Sequence, residues 1–170
     1  MKKFCGSITL ICFSCIVAWA QPAYDNCSTA FVLNDVADYC SEIAEFTNIG
    51  ATDSDTPLPS CFPNVNEEDA DVWFTFVAEA NTVNISVIGE TQINGGGSLD
   101  NPQFTLYSGI CDDLIEEMCS NDSRGDNAIS SITNELTSGQ TYYIRVDGAN
   151  ARTGSFELCV NNFNQVAAPT

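Results

Sequence analysis

In the run Asp71-Val72-Trp73-Phe74-Thr75-Phe76-Val77, the residues Val72, Phe74 and Phe76 alternate with Trp73, Thr75 and Val77. That is the period of a strand, not of a helix face. Successive strand side chains point to opposite faces, so one set packs and the other turns outward. The same grammar recurs further on. Val83, Ile85 and Val87 enclose Asn84 and Ser86; Phe104 and Leu106 alternate with Thr105 and Tyr107. Tyr142, Ile144 and Val146 alternate with Tyr143 and Arg145, and Phe156, Leu158 and Val160 with Glu157 and Cys159. β-branched and aromatic residues dominate these runs. Between them stand turn clusters: Asn94-Gly95-Gly96-Gly97, Ser108-Gly109, Arg124-Gly125-Asp126-Asn127, Thr137-Ser138-Gly139-Gln140 and Asp147-Gly148. Only Ala37 to Phe46 could pass for a helix, and its Tyr39, Ile43 and Phe46 are read here mostly as strand. The pattern predicts an all-β, antiparallel β-sandwich of about seven to nine strands.

The N-terminus reads as an export signal. Lys2-Lys3 give a positive start, Phe4 to Val17 an apolar run, and Ala18-Trp19-Ala20 a small-x-small cleavage site, with Gln21 the first mature residue. The run is short for a membrane anchor. A lipoprotein signal would need an aliphatic residue where Cys12 stands, three before Cys15. Residues 1–20 are thus the signal peptide, 24–162 the module, and 163–170 a linker or frayed tail. Cleavage removes both lysines, leaving Arg124, Arg145 and Arg152 against 23 acids, so 3 − 23 = −20. No basic patch exists for phosphates, so nucleic acid and anionic membrane surfaces are poor partners, and neither nucleic-acid binding nor membrane insertion is expected.

Cleavage also removes Cys5, Cys12 and Cys15, leaving the even set Cys27, Cys40, Cys61, Cys111, Cys119 and Cys159. In an exported domain without Cys-x-x-Cys pairs or histidine, such a set predicts disulfides. Sequence order suggests three pairs. Cys111 and Cys119 would close a hairpin around a short acidic loop, and Cys40 and Cys61 would bracket the Pro-rich connection Thr52 to Pro63. Cys27 and Cys159 would join if the terminal strands are neighbours.

Several blocks occur together: Asp25-Asn26-Cys27-Ser28-Thr29-Ala30, the Asp71 to Phe76 run, and Leu106-Tyr107-Ser108-Gly109-Ile110-Cys111. Leu136 to Val146 and Gly154-Ser155-Phe156-Glu157-Leu158-Cys159-Val160 follow. In this order, over about residues 24 to 162, the chain resembles the pre-peptidase C-terminal-like modules of large proteins secreted by the type IX route of gliding bacteria. The resemblance implies a CUB-like jelly-roll sandwich serving as an accessory module, often repeated in tandem beside proteases or adhesins. It supplies no catalytic residues. Such modules are commonly followed by another repeat or a C-terminal sorting domain, and here the sequence stops at Thr170.

The chemical inventory points away from catalysis. With no histidine, and no lysine after cleavage, a serine nucleophile has no ordinary base. Calcium is the stronger idea, since it takes six to eight oxygens and the loops are rich in carboxylates. Asp69 and Asp71 before the Trp73 strand, with Asp122 and Asp126 after Cys119, are the candidate ligands; the alternative is a solvated acidic surface. Arg124-Gly125-Asp126 is an adhesion tripeptide that turn chemistry equally explains. Trp73 and Tyr143 could stack on sugar rings, although burial is the commoner fate of a strand tryptophan. The expected function is a non-catalytic extracellular binding, adhesion or spacer module needing no cofactor beyond calcium. Its partners would be an extracellular protein, a polysaccharide or neighbouring modules. The alternatives are an ancillary domain of a secreted hydrolase and a self-assembling filament subunit.

Overall fold

The computed structural model describes residues 20–54, 56–62, 70–91, 95–122 and 124–165. Residues 1–19, nearly all of the expected signal peptide 1–20, and the tail after Gln165 lie outside the described residues. After a 3-10 turn at Cys27–Thr29, the described chain forms ten strands. Three are two-residue pieces: β1 (Phe31–Val32), β2 (Tyr39–Cys40) and β3 (Phe46–Thr47). The others are β4 (Val72–Val77), β5 (Thr82–Ile88), β6 (Pro102–Ile110), β7 (Asp113–Asn121), β8 (Ala128–Thr133), β9 (Thr141–Gly148) and β10 (Ser155–Phe163). One sheet runs β1-β4-β9-β6-β7; the other runs β2-β10-β5-β8, with β3 also on β10. Numbered from β3, the eight main strands are ordered 2-7-4-5 and 1-8-3-6, the interleaving of a jelly roll. The expected sandwich is what the chain forms.

Alternation builds the core directly. Val72, Phe74 and Phe76 face Val83, Ile85 and Val87 of the opposite sheet, with Ile144, Val146, Phe156, Leu158 and Val160 filling between, all nearly inaccessible. Phe46, Phe74 and Phe156 pack edge-on or tilted, with centroids 4.7 to 6.1 Å apart. β10 runs past the boundary that its apolar alternation suggests. Asn162 keeps the inward position, and its Oδ1 accepts from the Glu79 and Ala80 amides while its Nδ2 donates to the Ala80 and Thr82 carbonyls. A buried amide with all these bonds made is tolerated where an unpaired one is not.

One turn cluster proves to be something else, and a glycine of another has a further role. Ser108-Gly109 lies inside β6, and the hairpin turns instead at Cys111-Asp112, between the paired Ile110 and Asp113. In the Asn94 to Gly97 cluster, Gly97 serves close approach: a Cβ there would sit 2.0 Å from the Ser155 carbonyl oxygen. Ala37 to Phe46 is not a continuous strand. It contributes only β2 and the first residue of β3 to the β10 edge.

All six cysteines are disulfide-bonded, but in none of the three pairs that sequence order suggests. The bonds are Cys27–Cys111, Cys40–Cys159 and Cys61–Cys119, with Cα separations of 5.6, 4.1 and 5.8 Å. Cys111 cannot reach Cys119, because the acidic segment between them is mostly strand. Cys119 lies opposite Thr105, six residues down β6 from Cys111 and about 20 Å away. Cys27 precedes β1 at the edge of one sheet, whereas Cys159 lies in the other sheet directly opposite Cys40. Cys61 is thereby left for Cys119, and the Pro-rich connection crosses to the β7 edge.

Candidate functional site

The register places three rows of side chains on the outer face of the β4-β9-β6-β7 sheet. Trp73, Arg145, Thr105 and Cys119 form the middle row. Asp147, Gln103 and Asn121 lie above it, with Asp71 next to β4; Thr75, Tyr143, Tyr107 and Glu116 lie below. An outer face is normally wet, yet Trp73 and Asp71 are 0% exposed and Arg145 1%. The cover is the connection after β3. Ser54 Oγ donates to Asp71 (2.7 Å), and the Phe62 ring centroid lies 5.7 Å from the Arg145 guanidinium carbon. The Ser60 amide and hydroxyl donate to the Glu116 carboxylate, Asn121 Nδ2 donates to the Cys61 carbonyl, and Cys61 is bonded to Cys119. This strap makes a second, polar core outside the sandwich. Trp73 is accordingly buried, stacked on Tyr107 at 5.9 Å, and its indole N–H donates to Asp71.

At the centre of the polar core one guanidinium faces two carboxylates. Arg145 Nε lies 2.8 Å from Asp71 Oδ2, and Nη2 lies 3.6 Å from Asp147 Oδ2. All three side chains lie at 0–1% exposure. Burial therefore pushes the Asp71 carboxyl up to about 6, against the opposing pull of Arg145 and the hydrogen bonds from Ser54 and Trp73. A folded-state value above that of the unfolded chain means that the native state holds this proton more tightly. The group's contribution is full below about pH 4 and is lost as pH rises through about 6. Between those limits, wild type is expected to lose on the order of 2 kcal/mol more stability than Asp71→Asn. Urea titrations at several pH values measure this, and parallel curves for the two proteins would contradict it.

Beside the strap opens a cleft of about 390 Å³. Its walls include Leu58 of the strap and Tyr107, Asp112, Asp113, Leu114 and Glu116 of the β6–β7 hairpin. A largely polar lining that combines three carboxylates with Pro57, Leu58 and Leu114 suits the head and stem of a basic side chain, or the hydroxyls and faces of a sugar. Asp71, the carboxyl that burial raises, is sealed away from solvent and so is not a reactive group in that cleft.

Of the four acids expected to hold calcium, the structure describes three, and Asp71 lies apart from Asp122 and Asp126. Asp69 lies outside the described residues. Asp71 is engaged by Arg145, Ser54 and Trp73. Asp122 caps its own loop, accepting from the amides of Gly125, Asp126 and Asn127 at 2.8 to 3.3 Å, which also accounts for the Arg124-Gly125-Asp126 turn. Asp126 is exposed in the same loop. Asp71 adjoins Val72, and Asp122 lies two residues beyond Ser120; Val72 and Ser120 lie in one cross-sheet row three strand spacings apart, about 14 Å. Among the described residues, Cys40, Glu157 and Cys159 are the one group of three or more such side chains whose ligand atoms converge, and both its sulfurs are spent in a disulfide. Because Asp122 is engaged by its own loop, Asp122→Asn is expected to lower the melting temperature equally in chelator and in millimolar calcium. A loss confined to calcium would contradict this.

Arg145 is the central residue that the sequence does not announce. Its available signal is a cation at mid-strand, paired in register with Trp73, in a mature chain holding three cations. Among the described residues, no helix is long and apolar enough to cross a membrane. Comparison with protein-family models and with curated proteins finds no match to either.

Proposed function

We propose that this chain is an exported, non-catalytic β-sandwich module that binds an extracellular protein or polysaccharide, or spaces its neighbours, within a larger secreted protein. The observation carrying this reading is the set of three long-range disulfides, spanning 84, 119 and 58 residues and fixing edges and loops to distant strands. Such cross-links suit an oxidising environment outside the cell. The jelly-roll strand order agrees with what the resemblance to pre-peptidase C-terminal-like modules implies. The buried ionic cluster favours a structural over a reactive role for Asp71.

The test exposes purified mature protein to immobilised polysaccharides and to a surface coated with polylysine, alongside chromogenic peptide, ester and glycoside substrates. Retention on one of these surfaces, weakened by Asp112→Asn with Glu116→Gln, is the expected result. Substrate turnover that co-purifies with the protein would overturn the non-catalytic reading and favour a part in hydrolysis.

A further inference from the structure

The sheet β2-β10-β5-β8 ends in β8, whose one strand neighbour among the described residues is β5. Every second residue of such an edge strand turns its N–H and C=O away from the sheet. Natural edges are guarded by charge, proline, bulges, shortness or a cover. The other edges here are guarded. β7 carries Asp113, Glu116 and Glu117, has a bulge opposite Leu106 and Tyr107, and is bound by the strap. β1, β2 and β3 are two residues each. β8, Ala128-Ile129-Ser130-Ser131-Ile132-Thr133, has six residues and no charge, proline or glycine, in a mature chain of net charge −20. Its Ile132 is 56% exposed.

We propose that β8 is a homotypic docking edge, pairing antiparallel with β8 of a second copy so that the two sheets become continuous. A two-fold register centred on Ser130 sets Ile132 against Ala128 of the second copy. It also brings exposed Arg124, just before the strand, to the flank where the second copy's Glu135 leaves it. The contact occurs twice, one cation to one acid each time. Asp126 shares that flank, and its carboxylate accepts from the Ala128 amide at 3.4 Å, a long bond that must open for that N–H to join the ladder. This pairing and its end charges favour a second copy over an arbitrary partner. Self-repulsion beyond about 8 Å is screened at physiological salt, so the uncharged edge governs close approach.

A six-residue ladder buries less than the roughly 1,200 Å² of a stable interface. The pairing is therefore weak, with Kd on the order of 100 μM, and becomes effective where copies are tethered together. Sedimentation velocity of the mature chain, from about 5 to about 500 μM in roughly 0.15 M salt, should show a reversible dimer. Ile132→Lys should weaken it at least tenfold while leaving melting and Trp73 fluorescence unchanged. Arg124→Glu and Glu135→Arg should each weaken it, and the double exchange should restore it. A monomer throughout, or a dimer indifferent to Ile132→Lys and to the exchange, overturns the proposal.

Discussion

Arg145→Ala should lower the unfolding free energy by about 3–5 kcal/mol, the cost of leaving buried carboxylates without their cation. In a mature chain of about 150 residues that corresponds to a fall of roughly 10–15 °C in melting temperature. The side chain is 1% exposed and lies between Asp71, Asp147 and the Phe62 ring, so water cannot take over its role without opening the strap. Arg145→Lys should not rescue it fully, because an ammonium lacks the planar fork that faces two carboxylates at once. Replacing Arg145, Asp71 and Asp147 together by apolar residues of similar volume should cost much less than Arg145→Ala, since the desolvation penalty goes with the charges. Denaturant titration followed by tryptophan emission reads all three variants. A loss below about 1 kcal/mol for Arg145→Ala would contradict a buried cluster.

Removing the Cys61–Cys119 bond by a double alanine substitution should cost about 4 kcal/mol from the loop of 58 residues alone. It should also have a local signature. Trp19 falls within the expected signal peptide, so Trp73 is the sole tryptophan of the chain that the expected cleavage leaves. With the strap detached, its emission should shift to the red and become open to quenching by acrylamide. Removing Cys27–Cys111 should cost a similar amount, through a loop of 84 residues, without exposing Trp73 in the native state. If Trp73 stays shielded in the Cys61 and Cys119 variant, the strap does not depend on that bond.

Strands with one packed face were legible in the sequence, and strands at the edges were not. β4, β5, β9 and β10 lie inside their sheets, and their alternation is plain because every second residue enters the core. β7 and β8 each have a single buried residue, Met118 and Ile129, so little alternation survives. The unrecognised β7 turned a strand into a supposed acidic loop, and the mistaken Cys111–Cys119 pair followed from that. The strap was hidden for a different reason. A period of two says which way Trp73 and Arg145 point, but not that a distant connection will return to cover them. Likewise, a sequence rich in acids does not say which carboxylates meet a guanidinium and which cap a turn. Asp71 and Asp122 were both singled out, and each proves to have a partner within the protein.

Mapping the disulfides of unreduced mature protein tests the topology most directly. Cleavage at glutamate and aspartate separates all six cysteines, with Asp35 and Asp38 between Cys27 and Cys40, and Glu116 and Glu117 between Cys111 and Cys119. The jelly-roll order, with the strap crossing to β7, predicts linked peptides joining Cys27 to Cys111, Cys40 to Cys159 and Cys61 to Cys119. A peptide joining Cys40 to Cys61, or Cys111 to Cys119, would contradict both the sheet order and the buried cluster beneath the strap.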